Sequence, residues 1–155
     1  MNAISPASST YKLSKNLSRL LLELARDFER RSLAKCHNRG YRQIRRSHYS
    51  LFSNMGTGAI RLTELAEKAG ITQQAMGKLV KEMEEEGYVC RSIDESDKRA
   101  KLIELTELGQ RLVADSAEIV DEILEEYRNA LGAEGMDDLD KVLRNSANAL
   151  SLPSA

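Results

Sequence analysis

The stretch 62–105, LTELAEKAGITQQAMGKLVKEMEEEGYVCRSIDESDKRAKLIEL, decides the fold, because its apolar positions change period within a few residues. Leu62, Leu65, Ala66 and Ala69 recur at helical spacing, and Gly70 ends the run. Thr72 stands where a helix N-cap belongs. Ala75, Met76, Leu79, Val80 and Met83 then trace the buried face of a second helix, which stops at Gly87. Residues 88–93 are rich in strand formers, 94–99 make a charged turn, and 101–105 alternate with period two. Two helices joined by a short turn containing Gly, followed by a hairpin, predict a winged helix-turn-helix.

Helical patterns flank this lobe on both sides. Upstream, Leu13, Leu17, Leu20, Leu21, Leu24 and Phe28 share one face of a helix running to about His37, and Gly40 stops it. A shorter helix is predicted from Arg46 to Asn54, followed by loop to Gly58. Downstream, Thr106 caps a long helix through Leu108, Leu112, Ile119, Ile123, Tyr127 and Leu131. Gly132 and Gly135 break it, and Met136, Leu139, Val142, Leu143 and Leu150 form a last helix. The expected fold is therefore mostly α with a small β-hairpin wing. Residues 1–10 read as a flexible arm, 11–38 and 107–151 as a helical dimerisation region, and 41–106 as the winged lobe. The outer helices are too apolar on one face to stand alone, which predicts burial against a second copy.

The charges are partitioned along the chain. Residues 1–54 hold 11 basic and 3 acidic side chains, whereas 102–155 hold 4 basic and 12 acidic, so the net charge of −1 is a cancellation. A basic front predicts a polyanion partner, and an acidic tail predicts helices that face away from it. No apolar run approaches the roughly 18 residues of a membrane span, and Met1–Thr10 is not a secretory signal. Two distant cysteines fit a reducing cytoplasm.

The second helix of a helix-turn-helix enters the major groove by its N-terminal residues. Residues 72–81 contain no acid, and the core positions leave Gln73, Gln74, Gly77, Lys78 and Lys81 on the opposite face. Gln pairs bidentately with adenine, and Lys reaches guanine or phosphate. Gly77 suggests a close approach by another backbone. Glu82 and Glu84–Glu86 lie beyond the first two turns, where the helix leaves the groove. At the hairpin, Arg91, Lys98, Arg99 and Lys101 cluster, and Asp97 is near enough to orient Arg99, which suits a narrow minor groove. The basic stretch Arg39, Arg42, Arg45, Arg46 and His48 has two readings: phosphate contacts, or partners for the acidic C-terminal helices. Phosphate contact is favoured for Arg45, Arg46 and Arg61.

Residues 61–109 resemble the MarR family of bacterial transcription regulators. The resemblance rests on Arg61–Ala66, on 70–77 (GITQQAMG), on the wing 94–101 (DESDKRAK) with its D-x-R, and on the L-T-x-x-G of 105–109. With the flanking helices it covers about residues 11–151. It implies an obligate homodimer joined by the first and last helices, and a winged helix on double-stranded DNA in each subunit. It also implies, in many members, a small-molecule effector between the dimerisation helices and the DNA-binding lobe. By that match Gln73, Gln74, Gly77 and Lys78 fall on groove-facing positions and Arg99 on the wing arginine. Two features depart from the family pattern. Arg61 and Arg45 stand where Ser or Thr caps are common, and Glu95 stands where proline is frequent.

Cys36, beside Lys35 and His37, is the better candidate for a redox-active thiol, and Cys90, in a strand, is expected to be buried. No third ligand completes a metal site with Cys36 and His37, and no catalytic or nucleotide-binding motif is present. The expectation is a cytoplasmic, non-enzymatic, cofactor-free regulator that represses from a pseudopalindromic operator. The competing readings are a winged-helix protein-interaction module and a small-molecule-binding protein without DNA binding.

Overall fold

The computed structural model describes residues 16–56, 58–94 and 101–151. Helix α1 (Leu17–Asn38) opens on Asn16, whose side chain accepts the Ser18 N–H at 3.0 Å. A 3₁₀ turn (Arg46–His48) runs into the single turn α2 (Tyr49–Phe52), in place of one helix to Asn54. Then follow β1 (Ile60–Arg61), α3 (Leu62–Lys68), α4 (Gln73–Glu85), β2 (Val89–Ile93), β3 (Lys101–Leu105) and α5 (Glu107–Ala149). The three strands are antiparallel in the order β1-β3-β2. Strand β1 was not expected from the sequence; two residues are too few to show an alternation, and Ile60 is drawn in by pairing with Ile103.

The helix-turn-helix forms as its sequence predicts. Gly70 takes φ +64°, and the Ile71 N–H returns to the Ala66 carbonyl at 3.1 Å, closing α3. The Thr72 hydroxyl then accepts the Ala75 N–H at 3.1 Å and starts α4. Met76, Val80 and Met83 are fully buried with Leu51, Leu65, Val89 and Ile103. Two positions differ: Leu79 is only partly covered, and Ala75 is exposed, because it lies in the first turn of α4 beyond the edge of the apolar stripe.

The joint between the lobe and α5 explains the L-T-x-x-G motif. Thr106 accepts the Gly109 N–H at 3.1 Å through its hydroxyl oxygen and donates its O–H to the Gly87 carbonyl at 2.6 Å. The Thr106 N–H binds the Tyr88 carbonyl at 3.1 Å. Gly109 packs so closely that a β-carbon there would stand 2.1 Å from the Tyr88 carbonyl oxygen. The cap of the long helix is thus tied to the end of α4.

Along α5, Leu112, Ile119 and Ile123 join the core, with Cys36 of α1 beside them. The expected break occurs at Gly132 alone, where φ 76° and ψ 163° suit only glycine; Gly135 stays helical. Beyond the break, Val142, Leu143 and Leu150 remain exposed, as do Leu17, Leu20, Leu21 and Leu22 of α1. No helix among the described residues is long and apolar enough to cross a membrane.

Candidate nucleic-acid interface

The N-terminal two turns of α4 present Gln73, Gln74 and Lys78 to solvent, with the exposed Lys81 one turn further. Among the described residues Lys78 has no ion-pair partner, while Lys81 reaches Glu85 at 3.8 Å. Every acid that follows, except Glu86, is engaged with a base. Glu84 lies 3.2 Å from Arg91, and Glu82 turns inward to Arg45 at 3.1 Å and His48 at 3.2 Å. The exposed face of α4 that carries Gln73, Gln74 and Lys78 therefore presents amide and ammonium donors with no carboxylate between them. Gly77 meets nothing closer than Leu62 Cδ2, 3.9 Å from where its β-carbon would be. Among the described residues no contact demands glycine there, so the other backbone that the sequence reading expects is not one from within the described fold.

The basic stretch divides in a way the sequence did not show. His48 is fully buried and cannot touch a phosphate. Its Nδ1 accepts the Arg45 N–H at 3.1 Å, which leaves Nε2 to donate to Glu82. That bond is the first cause holding the Glu82 carboxyl below the usual range, with Arg45 adding to it. Arg39 also turns inward, to Glu118 and Glu122 of α5 at 2.8 and 2.6 Å. Arg45, Arg46 and Arg61 are each ion-paired within the chain. Their partners are Glu82, Glu29 (2.5 Å) and Asp94 rather than acids of the C-terminal helices. Arg45 and Arg46 are nonetheless two-thirds exposed. The Arg61 guanidinium donates to the buried Asp94 carboxylate, with Nε at 2.9 Å, so the residue in the α3 N-cap position ties that helix to the base of the wing. Lys98 and Arg99, with Asp97, lie outside the described residues.

The cysteine expectation is reversed. Cys36 is 1% exposed, and burial pushes its thiol up, while Cys90 is exposed on β2. Cys36 faces inward on α1, so the neighbouring Lys35 and His37 do not make it accessible. Among the described residues no cluster of His, Cys, Asp or Glu gathers as a metal site.

Two further features lie behind the candidate interface; of the first, the sequence reading anticipates only that Arg39 could pair with acids of the C-terminal helices. Arg31 and Lys35 on α1 and Arg39 at its C-cap face Glu126, Glu122 and Glu118 on α5 as a ladder of ion pairs between the two helices. Both triplets repeat every four residues, a signal present in the sequence. Nearby, the Tyr41 hydroxyl donates to Asp115 at 2.5 Å; its pKa is pushed up to about 12, by burial first and by the carboxylate second. The second feature is a cavity of about 410 Å³ where α1, α2 and α5 meet, walled by Phe28, Phe52, Val113 and Val120, with Tyr49 and Glu29 on its lining.

Residues 56–101 match the model of the MarR family, covering the helix-turn-helix and the wing as far as the first residue of β3. This segment is a MarR-family domain. The fold around it agrees over nearly the whole chain. CouR from Rhodococcus jostii RHA1, solved with p-coumaroyl-CoA bound, is 27% identical, with a TM-score of 0.69 over 92% of this chain and 96% of that one. A MarR-family transcriptional regulator from Rhodococcus sp. RHA1 is 25% identical, with a TM-score of 0.68 over 90% and 98%. The apo form of MarR from E. coli shares the fold at 21% identity and a TM-score of 0.69, over 89% and 98% of the two chains. The chain thus has the winged-helix fold of the MarR-family transcription regulators.

Proposed function

We propose that the protein is a dimeric, sequence-specific DNA-binding regulator, a ligand-responsive repressor that occludes a pseudopalindromic operator. The carrying observation is the exposed, acid-free face of α4. In this reading Gln73, Gln74 and Lys78 address base edges, Gly77 lets the helix backbone approach the duplex, and Lys81 reaches a phosphate. Arg45, Arg46 and Arg61 exchange carboxylate partners for phosphates at the groove edges, and Lys98 and Arg99 bring the wing to the minor groove. Exposed leucines of α1 and the apolar end of α5 close a twofold dimer, which sets half-sites roughly 34 Å apart. The protein acts in the cytoplasm, without catalysis or cofactor. Its occupancy of DNA responds to a small molecule held between the dimer helices and the lobe; CouR, which shares the fold, was solved with p-coumaroyl-CoA bound.

Titration of the protein against its own upstream DNA, at several salt concentrations, tests this. The expected result is a pseudopalindromic footprint and an affinity that falls steeply with salt. Gln73→Ala and Gln74→Ala should each weaken the specific site by about 1–3 kcal/mol and relax the base preference beneath it. Lys78→Ala should weaken specific and random DNA alike. Equal affinity for random and upstream DNA, or no salt-sensitive binding, would favour a protein-interaction module or a ligand-binding protein instead.

A further inference from the structure

We propose that the cavity between α1 and the winged lobe selects an apolar cation, an aromatic or alicyclic amine, with Glu29 as its counter-ion. This rests on the effector-responsive reading above and names the chemistry of the effector. Three observations converge. The cavity, about 410 Å³, lies within the roughly 300–1,000 Å³ range of small-molecule sites, and its walls are mainly Phe28, Phe52, Val113 and Val120. Glu29 is the one charged side chain on its lining, and no Lys or Arg joins it. Three of the four hydroxyls on the lining already donate elsewhere, and the fourth, on the buried Ser32, accepts from Tyr49. Tyr49 donates to Ser32 at 3.1 Å, Ser53 to the Tyr49 carbonyl at 2.6 Å and Ser116 to the Leu112 carbonyl at 2.7 Å.

Glu29 is also under-satisfied. Arg46 Nη2 lies 2.5 Å from its Oε2, yet that oxygen is buried and receives no directed hydrogen bond. A buried acceptor without a directed donor favours any ligand that supplies one, and an ammonium supplies both a donor and a charge. A carboxylate ligand would set like charge against Glu29, whose side chain is 35% exposed and has Arg46 as its ion-pair partner. The site therefore differs in sign from one built for an organic acid. Arg46 is exposed on the lobe and competes with the ligand for the same carboxylate, which couples the cavity to a residue placed at the DNA edge.

The test is calorimetric titration of the full chain at neutral pH with 2-naphthylmethylamine, 2-naphthylmethanol and 2-naphthoate. The amine should bind at least tenfold tighter than the alcohol, and the carboxylate weakest. In Glu29→Gln, with folding checked by circular dichroism, amine and alcohol should agree within about threefold. In Arg46→Gln, where the competitor is gone, the amine should bind severalfold tighter while the alcohol is unchanged. The proposal is overturned if none of the three binds, if the carboxylate equals the amine, or if the preference survives Glu29→Gln. Salt-dependent DNA binding of the ligand-free protein tests the regulator reading alone, so the two can fail independently.

Discussion

From Arg31 to its C-cap Arg39, α1 is held against α5 by a ladder of ion pairs, whereas between Leu17 and Leu22 the same helix carries leucines that are each more than half exposed. The inner half is satisfied by its own chain. The outer half spends its apolar side chains on solvent, with Leu17 69% and Leu21 52% exposed, and the end of α5 does the same at Val142 and Leu143. Apolar clusters of this kind mark an association surface. An apolar groove bounded by Leu21, Leu24, Tyr127, Met136 and Leu143 runs between these two segments. The contrast separates what this chain folds for itself from the apolar surface that, in the proposed dimer, a second copy covers.

The largest expected effect attacks the uncovered half. Each leucine side chain is worth about 1.5–3 kcal/mol when fully buried, and an aspartate in its place must also be desolvated. Leu21→Asp combined with Leu143→Asp should turn a dimer into a monomer in sedimentation and abolish tight operator binding. Circular dichroism of the winged lobe should stay unchanged. A dimer that survives both changes would place the interface elsewhere.

The next effect attacks the self-sufficient half at its joint with the lobe. A β-carbon at Gly109 would stand 2.1 Å from the Tyr88 carbonyl oxygen, and backbone on both sides leaves little to move. Gly109→Ala should lower stability by about 1–3 kcal/mol or more, read as a drop in Tm. Thr106→Ala removes both the cap of α5 and its bond to the Gly87 carbonyl, at a cost of about 1 kcal/mol or somewhat more.

These differences follow what a sequence can carry. Helix periods and caps are local, so α3, α4, both strands of the wing and the starts at Thr72 and Thr106 are legible. Burial of a single polar residue is not local. His48 looked like one more cation in a basic run, and only the packing of the 3₁₀ turn on α4 shows it sealed against Glu82. Cys36 and Cys90 were misassigned for the same reason, since the neighbours in sequence of a helical residue are not its neighbours in space. The acid-free face of α4 is legible because it is a helical period. The partners of Arg45, Arg46 and Arg61 are not, because each pairing joins segments far apart in the chain.

Acid should separate the two halves of α1 next. Glu122 and Glu126 are held below the usual carboxylate range, by Lys35 first and by Arg39 and Arg31 respectively, and Asp27 by Arg31 and then Tyr127. A lowered carboxyl pKa stabilises the fold above its unfolded value and loses that contribution as pH falls through the folded value. Stability against urea should therefore be flat through neutral pH and decline below the ordinary carboxylate range. In Glu122→Gln with Glu126→Gln the decline should be shallower and neutral stability lower. Leu17–Leu22 of α1 holds no carboxylate, and at the apolar end of α5 Asp140 is held low by its neighbour Arg144 alone, so dimer affinity per folded chain should change less.

The smallest effect turns on Gly77, where folding and binding should respond with opposite sign. Glycine in a helix interior costs roughly 1 kcal/mol relative to alanine, and here the chain gains nothing for it. The added methyl would meet only Leu62 Cδ2, at an ordinary 3.9 Å. Gly77→Ala should therefore raise the Tm. If α4 lies in a major groove with its backbone close to the duplex, the same methyl should stand in the way and weaken specific DNA binding severalfold. A variant that is more stable and binds DNA as well as before would move Gly77 off the interface while leaving Gln73, Gln74 and Lys78 on it. A variant that is more stable and binds worse would assign the glycine to the partner rather than to the fold.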